Sequence, residues 1–186
     1  MKDITEDNRE SGTINFVKVL FNMVCYVDVR DVTQRRVVVC WLKQYHLVAS
    51  QGGPQVDACI MENNTCTLLV VKVNKHSRGF DSEPRLISDA IAAFHNDNIM
   101  RAEYRVTNPL TSKVMPGIVM DDTMPTFYKT PIIAELVRAV ESGEKPEQET
   151  VVHACVLEVP RPEEGMKPLD NRYIFLSCFE LFRKFL

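Results

Sequence analysis

The sequence lacks several features that would assign it to a well-defined functional class. It has no Cys-x-x-Cys pair, no glycine-rich loop of the kind that cradles phosphate, and no apolar run long enough to span a membrane. Its seven glycines are scattered, and no serine has the surroundings of a nucleophile elbow. These absences argue against a phosphate-binding loop, a serine nucleophile of that type and a membrane span.

The chain also lacks a surplus of positive charge. It carries 22 lysines and arginines against 25 acidic residues, and its formal net charge is −3. Proteins that hold nucleic acid through its phosphates usually carry a basic surplus. Net charge therefore does not indicate a nucleic-acid partner, although a local basic patch stays open.

The hydrophobic content is ordinary for a globular protein and allows one real core. The chain has 186 residues, of which 45% are hydrophobic. Residues 1–12 are polar, and we expect a flexible N-terminus there. The remaining residues, 13–186, are predicted to form a single α/β domain.

Six cysteines are present, and most lie in apolar runs, where cysteine behaves as a small hydrophobic residue. The first residues contain no apolar signal segment. We therefore expect reduced thiols in an intracellular protein, cytoplasmic or nuclear. The even count leaves disulfides open as the alternative. The six are Cys25, Cys40, Cys59, Cys66, Cys155 and Cys178.

The hydrophobic pattern predicts helices and strands in mixed order. Ser82 has the properties of a helix N-cap, and Gly143 those of a helix terminator. The Asn63-Asn64 pair favours a hairpin turn. The predicted strands are 36–42, 55–61, 67–73, 117–120, 126–129 and 151–159. The predicted helices start at Gly12 or Thr13, Ser82, Pro131 and Leu169, and the second ends near 95–98. This order favours a mixed sheet between helices.

Several motifs resemble a large family of uncharacterised proteins from mushroom-forming fungi. The main one is Ser82-Glu83-Pro84-Arg85-Leu86-Ile87-Ser88-Asp89-Ala90-Ile91-Ala92-Ala93-Phe94-His95, and others are 116–118, 124–129 and 166–172. The resemblance covers about residues 14–186. That family is similar to the PD-(D/E)XK nuclease fold, which implies a core of one helix, three strands, a helix and a fourth strand.

The resemblance also implies where a nuclease site would lie. Such sites use a glutamate of the first helix, an aspartate of the second strand, a Glu-x-Lys of the third strand and often a glutamine of the next helix. Asp57 matches the aspartate and Lys75 matches the lysine. Val73 stands where the glutamate should be, His95 replaces the glutamine, and the first-helix acid falls near Val19. In the family the carboxylates hold Mg²⁺, which activates water.

A valine cannot ligate Mg²⁺, so the site is predicted to be degenerate. Asp57 would be a metal ligand only if metal binds at all, and it would otherwise pair with Lys75. Lys75, His76 and Arg78 form a basic loop that would either contact phosphate or remain solvated. His95 would act as a ligand or base, or simply form hydrogen bonds at a helix end.

Three functions follow from these residues. The first is a catalytically degenerate nuclease-fold protein that acts as a binding or interaction module and requires no cofactor. The second is an active Mg²⁺-dependent nuclease with ligands drawn from Asp57, Glu62, Asn74 and His95. The third is a binder of a small molecule or peptide in the former cleft.

The C-terminal helix is rich in aromatic residues. Its predicted apolar face consists of Ile174, Cys178, Leu181, Phe182 and Phe185. Two interpretations stay open: a helix buried on two sides, or an exposed patch through which the chain forms a homo-oligomer.

Overall fold

A computed structural model describes residues 4–26, 36–38, 57–62, 65–72, 82–103 and 108–186. These residues form four α-helices and six strands. The helices are α1 (Ile4–Met23), α2 (Ser82–Glu103), α3 (Ala134–Ser142) and α4 (Leu169–Phe182). The strands are β1 (Arg36–Val38), β2 (Ala58–Glu62), β3 (Thr65–Lys72), β4 (Ser112–Asp121), β5 (Met124–Ile133) and β6 (His153–Cys155). Short 3₁₀ turns occur at Pro162–Glu164 and Arg183–Phe185.

The six strands form one mixed sheet in the order β1-β2-β3-β4-β5-β6. Neighbouring strands are antiparallel except β3 and β4, which are parallel. Parallel neighbours need a crossover connection, and α2 lies in the crossover between these two strands. The predicted α/β class with a mixed sheet is therefore confirmed.

Helices cover both faces of the sheet. On one face, α2 and α3 pack against Leu69 and Val71 of β3. On the other face, α1 and α4 pack against Leu68 and Val70. Successive strand residues point to opposite faces, so the continuous Leu-Leu-Val-Val run of β3 is what a strand buried on both sides requires.

The hairpin between β2 and β3 was predicted correctly, since Glu62 pairs with Thr65 across the turn. Helix α2 begins at Ser82 as predicted but continues to Glu103, past the expected end, because Asp97 is still buried against the sheet. The expected start of the first helix at Gly12 or Thr13 is wrong, since α1 begins at Ile4, within the stretch expected to be frayed.

The prediction that Pro131 opens a helix is wrong. Pro131 lies in β5 and pairs with Val114 of β4, and α3 begins at Ala134. Proline is compatible with a strand position whose N–H is not needed by the ladder. Gly143 ends α3 as predicted: its φ of 71° is left-handed, and its N–H donates to the carbonyls of Ala139 and Val140.

The prediction of a strand over 151–159 is confirmed only for β6. Helix α4 begins at Leu169 as predicted, but its apolar face was predicted only in part: Phe182 is buried, and Cys178 and Phe185 pack beside it. The face that meets the sheet is formed by Phe175, Phe179 and Phe182, whereas the side chain of Leu181 is 68% exposed. Contacts with Phe21, Tyr26 and Phe127 select this face, since their rings pack against Phe179 at centroid distances of 6.3, 5.8 and 4.9 Å.

Candidate functional site

Chain topology brings several functional groups to one edge of the sheet. Because β3 and β4 are parallel, their carboxyl ends at Lys72 and Asp121 lie at the same edge. β2 runs antiparallel to β3, so its first residues, after Asp57, lie there too. Helix α2 returns across the sheet from this edge. In α/β sheets, the crevice outside the carboxyl ends of parallel strands is where ligands bind.

A close contact fixes the first turns of α2 on the sheet. A Cβ atom added to Gly117 of β4 would lie 2.8 Å from both methyl carbons of Leu86. Only glycine leaves room for Leu86 there. The Tyr128 hydroxyl of β5 donates a hydrogen bond of 3.2 Å to Glu83. The positions of Arg85 and Asp89, on the same turns of the helix, follow from these contacts.

Arg85 forms an ion pair with Asp57. Arg85 Nη2 lies 3.3 Å from Asp57 Oδ2, and the two side chains are 28% and 12% exposed. Asp57 precedes Ala58, which faces α1 and α4. Strand alternation therefore turns the Asp57 side chain toward α2. The pair is largely removed from solvent, so its charges are weakly screened.

Asp89 lies one helical turn after Arg85 and is fully buried. Among the described residues, neither of its carboxylate oxygens has a hydrogen-bond partner. The pKa of Asp89 is raised to about 7, mainly by burial; within this net shift the Arg85 charge lowers the pKa and the Asp57 charge raises it. Both charges therefore act on this carboxyl group, which makes Asp57, Arg85 and Asp89 one cluster, here called the Arg85 cluster.

The Arg85 cluster places one permanent cation, paired with Asp57, near a second acid, Asp89. Arginine stays protonated at any physiological pH. Carboxylates are ligands that Mg²⁺ accepts, so Asp57 and Asp89 are the residues that would hold such an ion. Within the described ranges, no group of three His, Cys, Asp or Glu residues is placed to bind a metal.

The residues predicted from sequence are only partly brought together. Asp57 lies in the cluster, but the structure does not bring His95 to it: His95 Nδ1 lies 2.6 Å from Glu141 of α3. Glu62 lies at the opposite end of β2, about 16 Å away at ~3.3 Å per strand residue. Val19 belongs to α1, on the other face of the sheet, and is 58% exposed.

Other predicted residues lie outside the described part of the chain. Both the basic loop (Lys75, His76 and Arg78) and the pair Val73 and Asn74 fall there. The pairing of Asp57 with Lys75 remains a prediction. The structure adds Arg85 as a cationic partner of Asp57.

Sequence reasoning missed Arg85 and Asp89. The sequence did contain a sign that the two residues interact, because they are spaced i, i+4 on one helix, where side chains are neighbours. Asp89 also stands in the apolar run Leu86-Ile87-Ser88-Asp89-Ala90-Ile91, at a helical position shared with Leu86 and Ala93. A charged residue inside the apolar stripe of a helix is seldom fully buried without a reason.

A second polar cluster lies at the other end of α2. The Cys66 N–H donates to Asp97 Oδ1 at 3.1 Å, and Lys113 Nζ donates to Asp97 Oδ2 at 2.7 Å. Lys113 also donates to the Cys66 carbonyl at 2.6 Å. This Asp97 cluster connects α2 to the first residues of β3 and β4, and its role is structural.

No helix among the described residues is long and apolar enough to cross a membrane. Comparison of the chain with protein-family models, with curated proteins and with solved structures finds no match.

Proposed function

We propose that this protein has a nuclease-like fold of the PD-(D/E)XK type whose metal site is degenerate, and that it acts as a binding or interaction module. The order of elements supports the fold. A helix, three antiparallel strands, a second helix and a strand parallel to the third follow one another in α1, β1, β2, β3, α2 and β4. This order agrees with the core that the resemblance implies.

The ion pair between Asp57 and Arg85 carries the functional part of the proposal. Asp57 is the strand acid that matches the metal ligand, and a guanidinium group lies 3.3 Å from it. A divalent ion about 4 Å from that guanidinium would be repelled by about 8 kcal/mol at an effective dielectric constant of 20. Metal binding would therefore require Arg85 to move away from Asp57, and the charge of Arg85 would then lose Asp57 as its partner.

Asp89 adds a second obstacle to metal binding. A carboxyl group must lose its proton before it binds metal, and burial holds the pKa of Asp89 at about 7. At neutral pH the proton competes with a metal ion for this group. The cluster is thus arranged to hold its own cation, Arg85, in place of a metal ion.

Nuclease assays test this proposal directly. Supercoiled plasmid and single-stranded RNA are incubated with wild type, Asp57→Ala and Asp170→Ala in Mg²⁺ and in Mn²⁺. Asp170 is an exposed aspartate on α4, paired with Arg161, and serves as the matched control. We expect equal, background cleavage by all three proteins. Cleavage by wild type and by Asp170→Ala that disappears in Asp57→Ala would establish an active nuclease and overturn the proposal.

The outer face of α4 supports an interaction role. Leu169 and Tyr173, one helical turn apart, are 77% and 76% exposed. The aromatic residues that face the sheet are buried, so only part of the aromatic character of α4 is used by the core. We propose this outer face as the contact of a homo-oligomer.

Analytical ultracentrifugation over a concentration series tests the oligomer. Wild type is compared with the double variant Leu169→Ser/Tyr173→Ser and with Val151→Ser, which alters an exposed valine before β6. We expect an association that only the double variant loses. A wild type that remains monomeric at about 100 μM, above the Kd of an ordinary specific dimer, would remove α4 as the contact.

A further inference from the structure

Cysteines of β6 and α4 face each other across the edge of the sheet. Cys155 of β6 pairs with Phe127 of β5, and directly opposite residues of antiparallel strands point to the same face. Phe127 points to α4, where its ring centroid lies 4.9 Å from that of Phe179 and 5.0 Å from that of Phe182. Cys178 directly precedes Phe179 on that helix.

The two thiols are neighbours. Cys178 lies one helical turn before Phe182, whose ring centroid is 5.0 Å from that of Phe127, and the Cys155 side chain acts on the pKa of Cys178. The pKa of Cys178 is raised to about 11, mainly by burial and to a smaller extent by the neighbouring Cys155 side chain. Cys155 is exposed, whereas Cys178 is half-buried. The two positions are therefore unequal: one thiol is open to solvent, and the other is held protonated behind it.

We propose that Cys155 and Cys178 are a peroxide-sensitive thiol pair that forms a disulfide between β6 and α4. The exposed Cys155 reacts first, since oxidation follows exposure and thiolate character. Its sulfur attacks hydrogen peroxide, the O–O bond breaks, and Cys155 sulfenic acid and one water form. The Cys178 sulfur then attacks the Cys155 sulfur. The S–O bond breaks, an S–S bond forms, and the leaving hydroxide takes the Cys178 proton as a second water.

The bond would stabilise the weakest edge of the sheet. β6 pairs with β5 over three residues, and all three are exposed. A disulfide restricts the unfolded chain between its two cysteines. For a protein of this size and a loop of roughly twenty residues, we expect the melting temperature to rise by about 6 to 12 °C.

The test uses the full chain, reduced and then treated with hydrogen peroxide. Wild type, Cys25→Ser, Cys155→Ser and Cys178→Ser are alkylated after oxidation, digested and analysed by mass spectrometry, and each is melted before and after oxidation. Cys25 is an exposed cysteine after α1 and is the matched control. We expect the disulfide-linked 155–178 peptide pair and the rise in melting temperature in wild type and Cys25→Ser only.

The Cys178→Ser variant makes the order of events visible. Without a resolving thiol, Cys155 sulfenic acid should persist, and a sulfenic-acid trapping reagent should label it at least tenfold more than in wild type. Wild type in which Cys155 accumulates as sulfenic or sulfinic acid, or links to another chain in place of Cys178, would overturn the proposal. None of these outcomes depends on whether the protein binds metal or cleaves nucleic acid.

Discussion

Helix α2 carries two fully buried aspartates two turns apart, and their surroundings differ completely. Asp97 accepts hydrogen bonds from a backbone N–H and from Lys113. Asp89 has no hydrogen-bond partner among the described residues and lies beside the ion pair of Arg85 and Asp57. The same residue type on the same helix face therefore serves two purposes.

Asp97 is an acid that stabilises the fold, whereas burying Asp89 without a hydrogen-bond partner lowers the stability of the folded protein. A buried polar group that has its partners fixes a unique packing, whereas one without partners lowers stability. Groups of the second kind, with pKa values shifted by burial and by a nearby charge, cluster at functional sites. The contrast between the Asp97 cluster and the Arg85 cluster is thus the main reason to place function at the edge where α2 begins.

The largest expected loss of stability is for a substitution in the Asp97 cluster. Asp97→Ala leaves the Cys66 N–H without its acceptor and Lys113, 20% exposed, without its counter-charge. Breaking a buried pair from one side costs about 3–5 kcal/mol. We expect urea denaturation to show a loss of this size. A loss below about 1 kcal/mol would mean that Asp97 is no more structural than Asp89.

Asp89 should make stability fall as pH rises. Burial raises its pKa in the folded protein to about 7 from an ordinary value of 3.8. Below both values the group is protonated in both states and has no effect. Between about pH 4 and 7 the unfolded chain loses this proton first, so the folded state is penalised increasingly, by up to about 4 kcal/mol above pH 7.

Asp89→Asn is the variant that isolates this effect. Urea denaturation between pH 4 and 8 should give a free energy of unfolding that falls less steeply with pH, by up to about 1.4 kcal/mol per pH unit. Burial also raises the pKa of Asp97, although Lys113 and the Cys66 N–H lower it, so some slope should remain. Equal slopes in wild type and variant would show that Asp89 is ionised at no cost.

A smaller effect is expected where α2 contacts the sheet. Gly117→Ala places a methyl group 2.8 Å from Leu86, and overpacking of this kind costs about 1–3 kcal/mol. In the double variant with Leu86→Ala, part of the cost should be recovered. A double-mutant cycle by urea denaturation measures this coupling, and strictly additive losses would show that the contact does not position the helix.

The smallest effect is expected for an exposed pair of the same chemistry as Asp57 and Arg85. Glu135 and Arg138 lie 2.8 Å apart on α3, and both side chains are more than half exposed. Such pairs contribute about 0.5 kcal/mol or less. Glu135→Gln should therefore barely change the denaturation midpoint, and a loss above about 1 kcal/mol would remove the distinction between exposed and buried pairs.

The fold was more predictable from sequence than the site. The apolar run of β3, the pairing of β2 with β3 and the start of α2 at Ser82 depend on neighbouring residues, so they could be recognised from local patterns. Pro131 was misjudged because its strand is specified by pairing with β4 over the full length of both strands, a non-local interaction. The face of α4 was likewise selected by rings from α1 and β5.

Within the site, Asp57 was found because a strand acid matched a motif. Arg85 and Asp89 were missed because their importance comes from burial and from proximity to Asp57. His95 was assigned to the site by a motif position, whereas its contact with Glu141 joins α2 to α3. For the three helix residues, the outcome depended on which neighbouring element the side chain faces, and a sequence motif does not specify this.

Metal titration by calorimetry tests the central claim that Arg85 holds the place of a metal ion. Mg²⁺ and Mn²⁺ are titrated into wild type, Asp57→Ala and Arg85→Gln at pH 7. The claim predicts no saturable heat up to millimolar metal in wild type or Asp57→Ala, and measurable Mn²⁺ binding once the guanidinium is removed in Arg85→Gln. Saturable binding by wild type that Asp57→Ala abolishes would contradict it.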